Sequence, residues 1–305
     1  MIKTAKWSVT YMNDKMVYIV LINYNGSEDT IECVESLSKN IYSNYKIIIV
    51  DNGSTEQERN KLKQISNSFV EIYYTDNHGF SGGSNIGIRF ALRNGADYVC
   101  LLNNDTTVEP DFLEKMVQKA ESSKDVGIVS PVLYDYYNRE NIAYYGGVVN
   151  LFRGVVMSAR SREEYVNLNT TCPFFATGCC MLIKREVFKT VGFLDESYFL
   201  YYEDTDYSVR VGKRYNLVLE EDAKVYHKES ASTDKLGNLR NYYLYRNRLI
   251  FIKNNVSFFY KPVAYFWGIG GVFKFFLIHR NTSSLMALFD FFRGIRGQGK
   301  MFEVS

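Results

Sequence analysis

The sequence predicts an α/β fold, in which a mostly parallel central sheet has helices on both faces and a helical region follows it. Over the first hundred residues, short apolar runs alternate with stretches of helical spacing. Strands joined by helical crossovers run parallel, so one edge of the sheet collects their carboxyl ends. After about residue 233 the composition becomes aromatic and basic, which indicates the separate helical region.

Four short apolar runs are predicted as buried strands of this sheet. They cover residues 17–22, 46–50, 70–74 and 99–102. Helices are predicted between them over residues 28–39, 55–66 and 84–94. Because ligands of open α/β sheets bind at the carboxyl ends of the strands, this βαβαβαβ order predicts a nucleotide-binding crevice there.

The first two strands each end in polar residues that suit such a crevice. Asn23, Tyr24 and Asn25 follow the first strand, and Asp51 follows the second. A carboxylate at the position of Asp51 can accept the ring N–H of a pyrimidine. It can also cap the next helix, and the two roles are compatible.

The fourth strand ends abruptly in Asn103, Asn104 and Asp105, the stretch around which we expect the chain to be organised. An acid beside carboxamides suits a hard divalent cation whose other ligands are phosphate oxygens and water. The alternative is a strand followed by an ordinary Asx turn.

A glycine-rich stretch over residues 77–85 follows the third strand and is predicted as a loop. It contains Asn77, Gly82 and Asn85. Glycine permits close approach of the backbone to a ligand, and the N–H groups of a following helix favour phosphate. The pattern is not a GxxxxGK[ST] phosphate loop, so it does not support an ATPase.

The middle of the chain has weaker patterns. We expect a helix over 108–125 with Pro110 in its first turn, a strand over 127–132, and a hairpin or lid in the irregular, tyrosine-rich residues 134–172. Residues 174–183 are turn-like at their start and strand-like at their end, and a short helix from Arg185 stops at Gly192.

A second acidic cluster, Glu203, Asp204 and Asp206, stands at a predicted helix start behind aromatic residues. Asp206 and Arg210 have the spacing of a favourable helical pair. Acids in aromatic surroundings indicate a desolvated site, although acids also favour helix N-termini for dipole reasons. His227 ends a short predicted strand, and it is either a metal ligand or a structural histidine.

Composition excludes several other classes of protein. Lys and Arg number 36 against 34 Asp and Glu, so no basic field calls for nucleic acid. The five cysteines are odd in number and form no CxxC pair, which indicates a reduced, cytosolic protein without a disulfide framework or zinc site. Residues 1–15 are expected to be a short extension and not a signal peptide.

Taken together, the motifs over residues 17–250 resemble those of the family 2 glycosyltransferases with the GT-A fold, particularly bacterial rhamnosyltransferase-like members. The order and spacing agree for all of them. The matching motifs are 22–25 (INYN), 50–54 (VDNGS), 77–85 (NHGFSGGSN), 101–106 (LLNNDT), 177–178 (TG), 192–196 (GFLDE), 202–206 (YEDTD) and His227.

The resemblance implies a metal-dependent, inverting transfer of a sugar from a nucleoside diphosphate donor to a hydroxyl. Asp51 then holds the base, and Asp105, the last residue of an Asp-x-Asp motif, holds Mg²⁺ or Mn²⁺ with His227. Asp204 is the general base, with Glu203 beside it near the donor or acceptor sugar. Asn103 departs from the motif, because it replaces the first Asp and removes one charge.

The composition and the motifs together predict three parts of the chain. We expect an N-terminal extension (1–15), a catalytic domain that binds the nucleotide sugar (16–232), and a helical region (233–305). The donor is expected to be a dTDP- or UDP-sugar, with rhamnose or another hexose, and the acceptor a cell-surface glycan or a lipid-linked saccharide. The other donor-binding candidates are Asn23, Tyr24, Asn25, Asn77, Gly82, Asn85, Asn103 and Asn104.

The helical region is expected to touch a membrane surface. Its uncharged core, residues 263–273, is shorter than the ~20 residues that span a bilayer, while flanking basic residues and Trp267 fit an interfacial segment. Arg246 or Arg248 is a candidate contact for phosphate, and Arg293, Arg296 and Lys300 for anionic headgroups. A bundle packed on the catalytic domain and a homodimer surface are the alternatives.

The chain is therefore expected to be a cytoplasmic transferase at the inner face of the cell membrane. Two alternatives stay open. A sugar-phosphate nucleotidyltransferase shares the crevice and the metal-binding acid, but it should carry a Gly-rich, Lys- or Arg-containing loop after the first strand. A non-catalytic carbohydrate- or nucleotide-binding module would not need Asp105, Glu203, Asp204 and His227 together.

Overall fold

The computed structural model of the chain describes residues 15–168, 171–228 and 237–299. The predicted extension lies outside these residues except for Lys15, and so do the predicted domain boundary at 232/233 and the headgroup candidate Lys300.

Twelve strands are present in the described residues. They are β1 (Val17–Asn23), β2 (Tyr45–Asn52), β3 (Val70–Thr75), β4 (Tyr98–Asn103), β5 (Thr106–Val108), β6 (Val126–Asp135), β7 (Ile142–Tyr144), β8 (Gly147–Asn150), β9 (Val155–Ser158), β10 (Phe174–Phe175), β11 (Cys180–Lys184) and β12 (Asn216–His227).

Ten α-helices accompany them in the same residues. They are α1 (Ser27–Leu37), α2 (Glu56–Leu62), α3 (Gly79–Arg93), α4 (Phe112–Glu121), α5 (Arg162–Val166), α6 (Arg185–Thr190), α7 (Glu203–Val211), α8 (Gly237–Asn255), α9 (Lys261–His279) and α10 (Ser283–Phe292). Two 3₁₀ turns cover Lys63–Ile65 and Glu196–Tyr198.

The main sheet has the order β3-β2-β1-β4-β11-β6-β12-β5, with β7 beside β6. Its first four strands are parallel, as their helical crossovers predict. Alternate residues of β1 enter two separate apolar cores, with Ile19 on one face and Val20 on the other. Both faces are therefore covered, and the strand ends form the edge where the site lies.

The second half of the sheet is mixed, which the sequence did not predict. β11 runs antiparallel between β4 and β6, and β5 pairs antiparallel with β12. The helix predicted over 108–125 is wrong at both ends, because β5 extends to Val108 and α4 spans only Phe112–Glu121. Pro110 therefore precedes α4 instead of lying in its first turn.

The glycine-rich stretch is largely helical, so the predicted loop is wrong. Helix α3 begins at Gly79, five residues before the predicted start. Its glycines bring the helix close to the sheet: a Cβ on Gly87 would lie 2.4 Å from Val20 Cγ1, and one on Gly83 would lie 3.3 Å from Ile22 Cγ2. The glycine pattern thus reflects packing of helix on strand.

The irregular middle region contains the expected hairpin. Strands β8 and β9 pair antiparallel, and β10 joins β8 to form a separate three-stranded sheet. The predicted pair of Asp206 and Arg210 is also present on α7, with 2.6 Å between Arg210 Nε and Asp206 Oδ2.

The C-terminal helices pack on the rest of the protein through α8. Tyr242, Tyr243 and Phe251 of α8 are fully buried. Helix α9 buries one stripe, Ala264, Gly268 and Val272, whereas most of its other residues are exposed. Ala264 packs with Leu249 and Ile252 of α8. Helix α10 is tied to α8 by the Tyr242 hydroxyl, which donates to Asp290 Oδ2 at 2.6 Å.

Candidate functional site

A pocket of about 550 Å³ opens at the carboxyl edge of the sheet. Its wall combines the ends of β1 and β4, the 177–179 segment, the 199–201 segment, the start of α7 and Leu239 of α8. Of the predicted site residues, Tyr24, Asn25, Asn77, Asn103, Asn104, Asp105, Glu203, Asp204 and His227 line it.

Asp105 and His227 meet because of the strand register. Asp105 lies between β4 and β5, and His227 is paired with Thr106 across the antiparallel β5–β12 ladder. His227 Nε2 is 3.2 Å from Asp105 Oδ1 and 3.4 Å from Asn103 Nδ2. Two positions 122 residues apart (227 − 105) are thereby placed in contact at the pocket wall.

The Asp105–His227 pair holds a proton that a bound cation would replace. Burial raises the pKa of Asp105, but the hydrogen bond and charge of His227 outweigh it, so the pKa lies below its usual range. Burial lowers the pKa of His227, while Cys179 and Asp105 raise it well above its usual value. Metal ligands must be deprotonated, so a cation that binds here displaces the imidazolium proton.

The donor set fits a metal ion that is shared with a ligand. In the described residues no group of three or more His, Cys, Asp or Glu side chains could hold a metal ion. Asp105 would supply one carboxylate and His227 one imidazole, which leaves the other positions to substrate phosphates and water, as is usual for Mg²⁺.

Two predicted residues, Asn23 and Asp51, lie behind the wall of the pocket and not in it. Both are fully buried. Asn23 Nδ2 donates to Asp51 Oδ2 at 2.9 Å, and Arg59 Nε donates to Asp51 Oδ1 at 2.7 Å. The Ser54 amide also donates to Asp51 Oδ1, but Ser54 precedes α2. The N-cap of α2 is Thr55, without a side-chain cap hydrogen bond, so the predicted capping role of Asp51 is wrong. A nucleobase role for Asp51 stays a prediction.

Gly82 and Asn85 also lie outside the lining residues. Gly82 is inside α3, where a Cβ would be 2.7 Å from His78 Cβ. Asn85 is buried. Its Nδ2 donates to the Leu194 carbonyl at 2.9 Å, and its Oδ1 accepts the Leu194 amide at 3.1 Å. The asparagine thus joins α3 to the segment that leads to α7.

Glu203 and Asp204 begin α7 in contrasting surroundings, with Glu203 buried and Asp204 half-buried. Asp204 Oδ2 accepts the Gly178 amide at 3.0 Å, and its Oδ1 accepts the Thr205 amide at 2.7 Å. Glu203 Oε2 has no hydrogen-bond partner among the described residues. A carboxylate that accepts amide hydrogen bonds is stabilised in its charged form, whereas an unpartnered one is not.

The pKa values follow this contrast. Burial, and then the charge of Asp204, raise the pKa of Glu203 well above its usual value. Burial also raises the pKa of Asp204, but the amides of Gly178 and Thr205 oppose the shift. Of the two acids, Glu203 therefore holds a proton more tightly, while the backbone amides stabilise the charged form of Asp204.

The raised pKa of Glu203 gives a stability test. The folded state binds this proton more tightly than the unfolded state, so the wild type loses stability as pH rises above the unfolded value of about 4.3. We expect the difference in Tm between Glu203→Gln and the wild type to shift in favour of the variant by about 2–4 °C from pH 4.5 to pH 8. This shift corresponds to ~1 kcal/mol in the free energy of unfolding. Differential scanning fluorimetry measures it, with the exposed Glu71→Gln as control. A pH-independent difference would contradict the assignment.

A profile of the family "Glycosyl transferase family 2" matches residues 18–192, which is more than half of the chain. The chain is a family 2 glycosyltransferase. The resemblance drawn from the motifs is thus confirmed, and the protein is an enzyme that transfers a sugar from a nucleotide-sugar donor.

Two curated relatives cover most of this glycosyltransferase. The low-salt glycan biosynthesis hexosyltransferase Agl10 of Haloferax volcanii is 29% identical over 258 residues, covering 81% of this chain and 78% of that protein. The dTDP-rhamnosyl transferase RfbF of Shigella flexneri is 24% identical over 254 residues, covering 78% of this chain and 80% of that protein.

Solved structures confirm the GT-A fold. The mannosyltransferase PcManGT from Pyrobaculum calidifontis, solved in complex with GDP-Man and Mn²⁺, aligns with a TM-score of 0.56 at 14% identity. The alignment covers 92% of this chain and 80% of that one, so the likeness includes most of the helical region.

Sequence reasoning missed how the 177–179 segment links the two halves of the glycosyltransferase site. The Gly178 amide donates to Asp204, while the Cys179 carbonyl accepts the Asn103 amide at 2.8 Å. A Cβ on Gly178 would lie 3.3 Å from both Cβ and Oδ2 of Asp204, so a side chain would crowd the carboxylate. The Thr-Gly motif marked this place in the sequence, but nothing in its spacing showed the contact.

Proposed function

We propose that this glycosyltransferase moves rhamnose or another hexose from a dTDP- or UDP-sugar to a hydroxyl of a cell-surface glycan or lipid-linked saccharide, with inversion and with Mg²⁺ or Mn²⁺. One observation carries the proposal: a single pocket is lined by the Asp105–His227 pair and, across the 177–179 segment, by Asp204. Similarity to a hexosyltransferase and to a dTDP-rhamnosyl transferase supports a hexose and a dTDP donor. Similarity to a mannosyltransferase that was solved with Mn²⁺ supports the metal.

The strand-end half of the pocket binds the donor. Tyr24, Asn25, Asn77 and Asn104 offer aromatic and amide groups along the wall. Asp105 and His227 would hold the divalent cation, which would supply positive charge against the negative charge that develops on the leaving phosphate. Asn103, which lies beside His227, keeps the shape of the motif's first acid without its charge.

The α7 half of the pocket activates the acceptor. Asp204 takes the proton of the acceptor hydroxyl as the oxygen forms its bond to the anomeric carbon. The bond from that carbon to the diphosphate breaks on the opposite side, and the nucleoside diphosphate leaves with the electron pair. One displacement inverts the anomeric centre. Glu203, whose pKa burial raises, would face the sugar as a hydrogen-bond donor.

The two alternatives, a sugar-phosphate nucleotidyltransferase and a non-catalytic binding module, differ from a glycosyltransferase in the products they form. A transferase converts the donor to a nucleoside diphosphate, a nucleotidyltransferase forms pyrophosphate from a nucleoside triphosphate and a sugar phosphate, and a binding module forms neither. The experiment incubates the protein with Mn²⁺, a panel of dTDP-, UDP- and GDP-sugars and a membrane glycolipid extract. Acceptor-dependent release of nucleoside diphosphate supports the proposal. Pyrophosphate, or no product with any donor that binds, would overturn it.

The helical region supports a membrane-associated location. Large apolar side chains are exposed on α9, on α10 and on the turn before α9; they include Phe258, Phe259, Phe266, Trp267, Leu277, Ile278, Phe289 and Phe292. Residues 237–299 contain a single acid, the buried Asp290, whereas Lys253, Lys274, Arg280, Arg293 and Arg296 are exposed. Exposed aromatics among basic groups fit the headgroup layer of an anionic bilayer.

Helix α9 has 19 residues and is long and apolar enough to cross a membrane by length and composition. Its packing favours a position in the membrane plane instead. Gly268 lies so close to α8 that a Cβ would be 3.0 Å from Leu249 Cδ2. A helix held against a buried neighbour cannot enter the bilayer core without leaving the protein. We propose that the enzyme is a peripheral protein at the cytoplasmic face of the membrane.

Flotation tests this placement in the full-length protein. We expect wild type to float with vesicles that contain anionic phospholipid, and the variant Phe258→Glu/Phe259→Glu to stay at the bottom. These side chains are 81% and 84% exposed, so the changes should not alter folding. The control is Phe69→Glu, which changes a 60% exposed phenylalanine before β3. Failure of the wild type to float, or loss of flotation in the control, would contradict the proposed membrane placement.

A further inference from the structure

The segment between residues 198 and 202 has a backbone that its residue types disfavour. Phe199, Tyr201 and Tyr202 have φ values of 62°, 66° and 74°, in the left-handed region that bulky side chains rarely adopt. The segment lines the pocket and leads directly into Glu203 and Asp204. Strain of this kind persists only where surrounding groups hold the backbone.

Asn247, in the middle of α8, donates hydrogen bonds that hold this backbone in place. Its Nδ2 lies 2.7 Å from the carbonyl of Tyr198, 2.7 Å from that of Leu200 and 2.8 Å from that of Tyr201. The remaining carbonyl of the run, on Phe199, accepts the Phe80 amide at 2.7 Å. All four consecutive carbonyls are thus held by donors from outside the segment.

The neighbouring Arg246 fixes the direction of the carboxamide. Arg246 Nε donates to Asn247 Oδ1 at 3.0 Å, so the amide nitrogen must face the carbonyls. Arg246 is itself fully buried, and its Nη2 donates to the carbonyls of Tyr198 and Gly297. The Arg246 guanidinium therefore donates to main-chain carbonyls around the 198–202 segment. It does not point to a phosphate, the contact that the sequence suggested for it.

We propose that Asn247 is a positioning residue for the transfer reaction: it holds the strained 198–202 segment so that α7 begins with Asp204 aimed into the pocket. The helical region then completes the catalytic site in addition to any contact with a membrane. The inference rests on the role proposed above for Asp204. In the part of the chain that the structure describes, the hydrogen bonds of Asn247 go to Arg246 and to the 198–202 segment and not to the strand-end half of the pocket, so nucleotide binding should survive its loss.

Two substitutions and one matched control test this role in the full chain. Asn247→Asp keeps the acceptor for Arg246 Nε and turns an oxygen towards the three carbonyls, and Asn247→Ala removes both functions without adding charge. The control is Asn255→Ala, on the same helix, because Asn255 Nδ2 donates to Asp206 Oδ1 at 2.7 Å and so joins α8 to α7 without touching the segment. Each variant is assayed for hydrogen exchange, nucleotide binding and turnover.

In both Asn247 variants, we expect amide exchange in residues 198–206 to accelerate at least tenfold, while exchange in β1 and β4 is unchanged. Release of nucleoside diphosphate should fall about 100-fold in kcat, with dTDP or UDP affinity in Mn²⁺ within threefold of wild type. Asn255→Ala should resemble wild type in all three. Fast exchange with normal kcat, or low kcat with normal exchange, would overturn the proposal. Full turnover by Asp204→Asn would instead refute the base assignment, and the exchange data would still decide whether Asn247 holds the segment.

Discussion

Asp204→Asn is expected to lower kcat by about 10²–10⁴-fold, the range that loss of a general base typically produces. The carboxamide is nearly isosteric and still accepts one of the two amide hydrogen bonds, from Gly178 or Thr205, that hold the carboxylate now. It cannot take a proton from the acceptor hydroxyl. Donor-nucleotide affinity should stay within a few-fold, because Asp105 and His227 are unchanged.

The measurement pairs calorimetry of the nucleotide in Mn²⁺ with turnover at saturating acceptor. Glu203→Gln is the matched control, because it changes the adjacent buried acid but keeps a donor towards the sugar. It should retain turnover within about tenfold of wild type, a milder loss than that of a general base. Near-normal turnover of Asp204→Asn beside an inactive Glu203→Gln would move the base to Glu203.

Asp105→Ala and His227→Ala are each expected to reduce turnover by about 10²–10³-fold, the usual effect of removing one electrostatic stabiliser of the leaving group. Both should also weaken nucleotide binding in Mn²⁺ and leave metal-free binding nearly unchanged. This loss of binding separates them from the Asp204 variant. Titration of Mn²⁺ against nucleotide affinity, by calorimetry, measures the effect without reference to activity.

His279→Ala is the control for the histidine, because His279 is exposed at the end of α9, outside the residues that line the pocket. It should bind and turn over as wild type does. Full activity of Asp105→Ala or His227→Ala would exclude the metal assignment, and so would full activity of the wild type in excess EDTA.

The nucleotide-binding half of the fold was predictable from the sequence because its signals are local. Alternation of apolar runs and helical spacing gives strand, crossover and the parallel β3-β2-β1-β4 order without any long-range information. The polar strand ends then predict that Asn103, Asn104 and Asp105 share an edge with Tyr24 and Asn25, and all five line the pocket.

Contacts between distant segments were not predictable in the same way. The approach of His227 to Asp105 depends on the antiparallel pairing of β5 with β12, and three-residue β5 has no periodicity to detect. The glycines of α3 resembled a loop because close packing on β1 and a ligand cradle require the same absence of a side chain.

Backbone strain and its support were also invisible in the sequence. Tyrosine and phenylalanine at residues 199–202 predict extended structure or a helix, not left-handed φ values. Asn247 lies in a helical, aromatic stretch whose basic neighbours suggested phosphate contacts, whereas Arg246 is buried against main-chain carbonyls. Only the fold brings the middle of α8 to the start of α7.

The configuration of the anomeric carbon in the product tests the central claim most directly, namely that Asp204 activates a hydroxyl for one direct displacement on the donor. The acceptor identified in the donor-panel assay is glycosylated by the wild type, and the anomeric coupling constant of the new linkage is read by ¹H NMR against that of the donor. Inversion is the result this mechanism requires. Retention of configuration would contradict it, because two displacements would then be needed and a single base at Asp204 would not suffice.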